Sequence, residues 1–250
     1  MKLIALAALT LAPAISAQAP KSVPVTSEPH HHLVFTTPTL RVFRVEVPKG
    51  TSTLLHEHAV DYFWIGIGSA QFENEIPGKP VAKVVSTDGA VHFTRGKFAH
   101  VANIDGPSTF YNVTLEVPLE QTNPRNLCAV VIAGEKMNCP EASKRAIAVY
   151  TSVKSLPEFE TDQTRVTLLT VEPDQALEIK HPVNSPVLVA VDAAEGTLHT
   201  TCNDPAGAKT DQIQPKSGDS FVVKATTACI LHNASPKAVR FLVVDFLPAR

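Results

Sequence analysis

Short hydrophobic runs rich in β-branched and aromatic residues recur along the chain, and turn-forming residues separate them. Dipeptides such as Pro77-Gly78, Asp88-Gly89 and Asp105-Gly106 are typical of such turns. The runs lie at residues 40–47, 62–67, 81–85, 90–94, 110–117, 164–171, 187–191, 219–224 and 239–247. Each run has the length of a strand, so the pattern predicts an all-β protein, a sandwich or a barrel, with few or no helices.

The two halves of the chain share one plan. Residues 40–68 align on residues 164–192 without a gap, which places Arg41 on Arg165. Later blocks align at an offset that is five residues longer. Few residues are identical, but the order and spacing of the runs hold, so we interpret the chain as a duplicated β-domain.

The N-terminal segment has the pattern of a secretory signal peptide. Lys2 supplies a positive charge, residues 3–15 form an apolar run too short to span a bilayer, and small residues follow. Cleavage after Ala19 would leave Pro20 as the first mature residue, so cleavage after Ala17 stays open. The sequence predicts a secreted or periplasmic protein.

Four segments follow from these patterns. Residues 1–19 are the predicted signal peptide, residues 20–120 and 151–250 are the two β-domains, and residues 121–150 are a linker. The formal net charge of −2 gives neither a nucleic-acid footprint nor a basic membrane-binding face. We therefore expect a small molecule as the partner, and neither nucleic acid nor membrane.

The chain contains four cysteines. An even number in an exported protein favours disulfides over a zinc site. Three pairings are open, of which we predict Cys128–Cys139, which would staple the linker, and Cys202–Cys229, within the second half.

The segment with the clearest chemistry is Gly50-x5-His56-x-His58-x2-Asp61-x6-Gly68. Two histidines at positions i and i+2 of a strand point to the same face. Asp61 opens the next strand, and His100 lies where a later strand would return to the same cavity. Three imidazoles and one carboxylate from separate strands suit a first-row transition metal. We predict a metal site whose ligands are His56, His58, Asp61 and His100.

At these residues the chain resembles the cupin superfamily, small β-barrels whose two sequence motifs supply metal ligands. The glycines and paired histidines above match the first motif, with Asp61 replacing its usual glutamate after a loop one residue shorter. His100 matches the histidine of the second motif, whereas Arg95 and Lys97 stand at its proline and glycine. The resemblance implies two tandem jelly-roll barrels, the arrangement called a bicupin, and often a homodimer.

The resemblance also implies a function in general terms. It indicates a metal-binding protein, and by analogy a metal-dependent, dioxygenase-like oxidoreductase that acts on a small organic molecule. The alternative is a non-catalytic cupin with a ligand-binding or structural role. The ion would be a divalent transition metal, with Fe or Mn favoured and Zn, Ni or Cu left open.

The second half retains none of the four ligand types. The aligned residues are Lys180 for His56, Pro182 for His58, Ser185 for Asp61 and Cys229 for His100. We therefore predict a degenerate second barrel that is metal-free and structural.

Other side chains near the predicted cavity have more than one interpretation. The triplet His30-His31-His32 is expected to be the solvated start of a strand, and the alternative is a strap over the barrel mouth that adds a ligand. His92 is expected at the surface or in an interface. Glu73, or Asp61 if it is not a ligand, is the candidate acid or base.

The remaining candidates concern the substrate. Arg95 and Lys97 are expected to form a solvated turn, and the alternative is that they hold an acidic substrate. Tyr62, Trp64 and Phe98 either line a substrate pocket or belong to the core. The sequence assigns no catalytic residue.

Overall fold

The computed structural model describes residues 21–127, 150, 152–180, 185–194, 196–203, 209–224 and 227–247. In these ranges the only helical element is a 3-10 turn at Val25–Ser27, and the remaining elements are strands. The all-β prediction is confirmed. The predicted signal peptide and the predicted Cys128–Cys139 disulfide lie outside the described residues. The described part of the chain has no helix whose length and hydropathy would allow a membrane crossing.

The first half folds into two five-stranded sheets that face each other. Sheet A contains, in spatial order, β1 (Val23–Pro24), β4 (His56–His58), β9 (Phe98–Asn103), β6 (Ala70–Glu75) and β7 (Ala82–Ser86). Sheet B contains β2 (His31–Thr36), β3 (Arg41–Val47), β10 (Phe110–Val117), β5 (Asp61–Ile67) and β8 (Val91–Thr94).

The second half also forms two sheets. Sheet C contains β11 (Arg125–Asn126), β12 (Lys154–Glu160), β13 (Thr164–Val171), β20 (Val239–Phe246), β15 (Val187–Ala190) and β18 (Ser220–Val222). Sheet D contains β14 (Ala176–Lys180), β19 (Ala228–Asn233), β16 (Leu198–Asn203) and β17 (Lys209–Ile213).

The strand order repeats between the halves. Sheet B runs β3-β10-β5-β8, and sheet C runs β13-β20-β15-β18, which are the strands that the internal alignment pairs. Both halves are therefore jelly-roll barrels of one topology, as predicted. The domain boundaries themselves stay a prediction.

Sheets B and C pack against each other through one large apolar cluster. Phe63 and Leu115 contribute from sheet B, and Phe159, Val166 and Val244 contribute from sheet C; all five are fully buried. Side chains alternate along a strand, so the outward-facing positions of sheet B build this contact. The intervening positions of β5 and β10 must then face the interior of the first barrel. This alternation determines which side chains of the two strands can contribute to a site there.

The interior of the second barrel is apolar where it is described. Leu177, Ile179, Leu231 and Phe241 are fully buried in one cluster there. A disulfide joins Cys202 and Cys229, which lie opposite each other on β16 and β19. The predicted Cys202–Cys229 pairing is confirmed, and Cys229 cannot serve as a thiolate ligand while it is oxidised. Pro182 and the side chain of Lys180 lie outside the described residues.

Candidate metal centre

The strand β4 delivers the two histidines of the His-x-His motif to one place. His56 and His58 are 1% exposed, whereas Glu57 between them is exposed, as alternation requires. His56 lies directly opposite His100 in the β4–β9 pair. The ring centroid of His100 is 4.4 Å from that of His56 and 5.7 Å from that of His58. The structure thus brings together the three histidines named from the sequence.

A fourth histidine, His31, joins them from the N-terminal strand. Its ring centroid lies 4.7 Å from that of His56 and 5.6 Å from that of His58. One ligand atom from each of these three rings lies within 4.8 Å of the others. The expected solvated strand start is wrong at His31, because β2 pairs His31 with Val45, whose side chain lines the cavity. His32 alternates outward and is exposed.

Each of the four rings is held through its Nδ1 atom. The acceptors are Glu28 for His31 (2.6 Å), the Leu54 carbonyl for His56 (2.9 Å), Glu116 for His58 (3.1 Å) and Asn74 for His100 (2.7 Å). Carbonyl, amide and carboxylate oxygens accept, so each Nδ1 donates its proton, and a neutral ring in this orientation carries its lone pair on Nε2.

The Nε2 atoms are the unsatisfied groups of this site. Those of His56 and His100 are buried and have no hydrogen-bond partner within the described part of the chain. A buried polar atom without a partner is costly, and most such atoms in proteins are satisfied. A cation between the rings would satisfy them, so the residues present fit a transition metal.

Burial keeps His56, His58 and His100 in the form that binds metal. It lowers the pKa of His56 to about 4 and that of His58 to about 2, and nearby His31 adds to both shifts. Burial, followed by the neighbouring His56 and His58, also places the pKa of His100 well below its ordinary value. Neutral rings are metal ligands and imidazolium ions are not.

Two buried carboxylates that the sequence analysis did not identify orient the ligands. Glu116 of β10 is fully buried between the Nδ1 atom of His58 and the guanidinium of Arg41, which is 2.7 Å away. Burial raises the pKa of Glu116, and Arg41 opposes that shift. Burial alone would raise the pKa of Glu28. The hydrogen bonds from His31 and from backbone amides outweigh that effect, so the pKa of Glu28 lies below its ordinary value. The feature of the sequence that could have identified Glu116 is its position as an acidic residue inside the otherwise apolar end of β10.

Asp61 does not join the cluster. It precedes Tyr62, whose ring stacks on His58 at 4.0 Å, so alternation turns Asp61 to the other face of β5. There its carboxylate accepts hydrogen bonds from the guanidinium of Arg95 (2.8 Å) and from the amides of Gly96 (3.2 Å) and Gln121 (3.1 Å). The expected ligand role of Asp61 is not supported by its position, because these contacts hold the carboxylate in a turn away from the histidines.

The variant Asp61→Asn tests this placement. We expect it to retain the wild-type metal content and to lose about 1–2 kcal/mol of unfolding free energy. The substitution removes the charge that strengthens these hydrogen bonds, and the partial exposure of the pair keeps the loss modest. Elemental analysis and urea unfolding measure the two quantities. Loss of metal from a folded Asp61→Asn protein would restore Asp61 as a ligand.

The four histidines open into a cavity of about 670 Å³, a volume typical of small-molecule sites. Tyr62, Trp64 and Phe98 line it, although Tyr62 is also buried and Trp64 also packs against a core cluster. Arg95 lies at its edge, paired with Asp61, and Lys97 occupies a turn with a positive φ of 67°.

Two further expectations are wrong in the structure. Glu73 lies between Phe72 and Asn74, which line the cavity, so its side chain faces outward, with its carboxylate 3.9 Å from Lys83. His92 is 5% exposed and lines the cavity instead of the surface. The register of β8 explains this, because His92 lies opposite the cavity-lining Trp64.

Comparisons with known proteins concern the fold. No family model matches the sequence, and no curated protein matches it. Oxalate decarboxylase from Bacillus subtilis is similar in structure, with a TM-score of 0.53 and 13% identity over 83% of this chain and 68% of that chain. A cupin 2 conserved barrel domain protein from Leptotrichia buccalis is similar with a TM-score of 0.50 and 10% identity, over 87% of this chain and 88% of that chain. Procruciferin, an 11S globulin from Brassica napus, is similar with a TM-score of 0.54 and 10% identity, over 82% of this chain and 75% of that chain.

These similarities define the architecture. The chain has the cupin fold in its two-barrel form, which confirms at the level of fold the resemblance inferred from the histidine motifs. Identities of this size carry no activity from one protein to another. The function has to be argued from the histidine cluster.

Proposed function

We propose that the first barrel is a mononuclear metal centre and that the protein is an exported, metal-dependent oxidoreductase acting on a small organic molecule. His31, His56, His58 and His100 are the proposed ligands. The observation that carries the proposal is the shared arrangement of the rings: each Nδ1 is occupied by an acceptor, which leaves the Nε2 lone pairs for a cation.

The ligand set narrows the choice of ion. Without Asp61 all four donors are neutral imidazole nitrogens, which suit Fe, Ni, Cu and Zn better than Mn, an ion that prefers oxygen ligands. The double positive charge of the ion would then be balanced by the two carboxylates that lie behind the ligands. These are Glu28 and Glu116, which accept hydrogen bonds from His31 and His58. We favour iron among these ions.

A ferrous ion with four protein ligands would supply open positions for O₂ or for a substrate oxygen. The contributions of the chain itself are orientation and exclusion of water. Glu116 fixes the ring of His58, and the stacked Tyr62 covers its face. Burial keeps His56, His58 and His100 neutral. No group is assigned as a general acid or base.

The setting of the protein is part of the proposal. The Cys202–Cys229 disulfide supports an oxidising compartment, either the periplasm or the cell exterior. The second barrel, within residues 151–250, would be structural and would support the first through the shared apolar cluster.

A second candidate rests on the number of ligands. Four imidazoles complete a tetrahedral shell, and closed four-ligand zinc sites are structural, whereas catalytic zinc keeps one position open. A protein that retains zinc and consumes no oxygen would be a non-catalytic binding or structural cupin. Elemental analysis followed by an oxygen-consumption screen of the iron-loaded protein separates the two candidates.

The variant His31→Ala tests the proposed fourth ligand, with His32→Ala as the matched control from the same triplet. His31 contacts the cluster and His32 is exposed, so we expect metal affinity to fall at least 10-fold in His31→Ala and to stay unchanged in His32→Ala. Competition with a chelator of known affinity measures the difference. Equal affinities in the two variants would remove His31 from the ligand set.

A further inference from the structure

The cavity wall formed by sheet B is built in layers of side chains that lie opposite one another. Tyr62 and Thr94 form one layer, and Trp64 and His92 form the next. The histidine cluster lies at the first layer, because His58 stacks on Tyr62. Two residues of a strand advance by roughly 7 Å, so His92 lies one layer away from the cluster along the same wall.

His92 is an unused polar group of this cavity. Its ring stacks on Trp64 with a centroid separation of 3.6 Å and an interplanar angle of 1°. Its Nε2 atom is buried and has no hydrogen-bond partner among the described residues. Burial lowers the pKa of His92 to about 4, so the ring is neutral and can accept or donate one hydrogen bond.

The surroundings of His92 are aromatic. Trp64 contacts Phe110 at 5.5 Å and Phe72 at 6.0 Å between ring centroids, and the two phenylalanines are 4.3 Å apart. All three rings line the cavity. Phe72 and Phe110 are almost fully buried, whereas Trp64 is half-buried, so a planar ligand ring would gain most of its contact area from Trp64 through offset or edge contacts.

We propose that the cavity binds a monocyclic aromatic molecule with polar groups at opposite ends. An oxygen at one end binds the metal, the ring packs on Trp64, Phe72 and Phe110, and a hydrogen-bonding group at the far end reaches Nε2 of His92. This inference rests on the proposed metal centre and adds the class of substrate to it.

The test uses the iron-loaded full chain in the absence of O₂, because a ferrous ion with four protein ligands would keep open positions for the probe oxygen and the probes are not oxidised. The probes are 4-hydroxybenzoate, benzoate, and trans-4-hydroxycyclohexanecarboxylate, which has the same polar groups on a ring that is not planar. Calorimetry gives each dissociation constant. Trp64 is the only tryptophan of the chain and lines the cavity, so quenching of its fluorescence reports binding at the proposed wall.

We expect 4-hydroxybenzoate to bind about tenfold more tightly than its cyclohexane analogue, since the planar ring contacts the aromatic wall. It should bind about three- to tenfold more tightly than benzoate, because it adds one hydrogen bond to His92. In His92→Phe, which keeps a ring beside Trp64, the preference over benzoate should disappear while benzoate affinity and iron content stay unchanged.

The outcomes separate the two proposals. Retained iron with equal affinity for the planar and the non-planar probe overturns the aromatic class. A hydroxyl preference that survives in His92→Phe overturns the role of His92. A wild-type protein that retains no zinc, iron or other transition metal contradicts the metal centre itself.

Discussion

The double variant His56→Ala/His58→Ala is expected to contain only background metal, whereas the wild-type protein carries a full complement. Both residues lie on β4 with their rings buried in the cluster, and their removal takes away half of the proposed ligands. The effect should exceed the 10- to 100-fold loss of affinity that follows changes in groups behind the ligands. Elemental analysis of protein purified from its native compartment measures the result.

The control for this variant lies in the second barrel. His199 and His232 are opposite each other on β16 and β19, and His199→Ala/His232→Ala removes the same number of imidazoles. We expect its metal content to equal that of the wild type. Equal metal in both double variants would refute the site, and a circular dichroism spectrum establishes that each variant is folded.

Acidification is expected to destabilise the metal-free protein strongly between pH 6.5 and about 4. Burial holds the pKa of His56 and of His92 at about 4, against an ordinary value of 6.5. Between these values the unfolded chain binds protons that the folded chain does not, so the free energy of unfolding falls as the pH falls. Each histidine contributes a loss on the order of 3 kcal/mol, and Glu116, whose pKa is raised by burial, offsets part of it.

Urea unfolding of the metal-free protein at several pH values measures this dependence. His92→Phe removes one of the responsible rings and leaves the cluster intact, so its stability should vary less steeply with pH than that of the wild type. Bound metal should reduce the dependence near neutral pH and should be released as the histidines become protonated. A free energy of unfolding that is flat from pH 7 to pH 4 would show that these imidazoles are accessible to water.

The sequence predicted the fold and three of the four clustered histidines because these depend on local rules. Strand-length runs and their internal repeat are visible in the sequence, and the i, i+2 spacing of His56 and His58 fixes their common face. His100 followed from its matching motif. The Cys202–Cys229 pair followed from a count of cysteines and their position in the second half.

The errors arose where tertiary pairing decides the direction of a side chain. His31 enters the site because β2 pairs with β3 in a register that sets it opposite Val45. Asp61 leaves the site because Tyr62 takes the inward position on β5. A shift of one residue in the assumed phase of a strand exchanges its two faces, and the sequence of a short strand does not fix that phase.

The carboxylate of Glu116 illustrates the same limit. Glu116 lies near the end of β10, 58 residues after the ring that it holds, whereas Glu28 is only three residues before His31. Packing of sheet B against sheet C turns Leu115 outward from the first barrel and therefore turns Glu116 into its interior. A contact of this kind depends on how the two barrels are packed together, which no single motif encodes.

The most direct test of the metal centre is X-ray absorption spectroscopy of the metal-loaded protein at neutral pH. A centre held by His31, His56, His58 and His100 predicts a first shell with four imidazole nitrogens at about 2.0–2.2 Å, together with the outer-shell scattering of their rings. A first shell dominated by carboxylate or water oxygens, with fewer than three imidazoles, would contradict it.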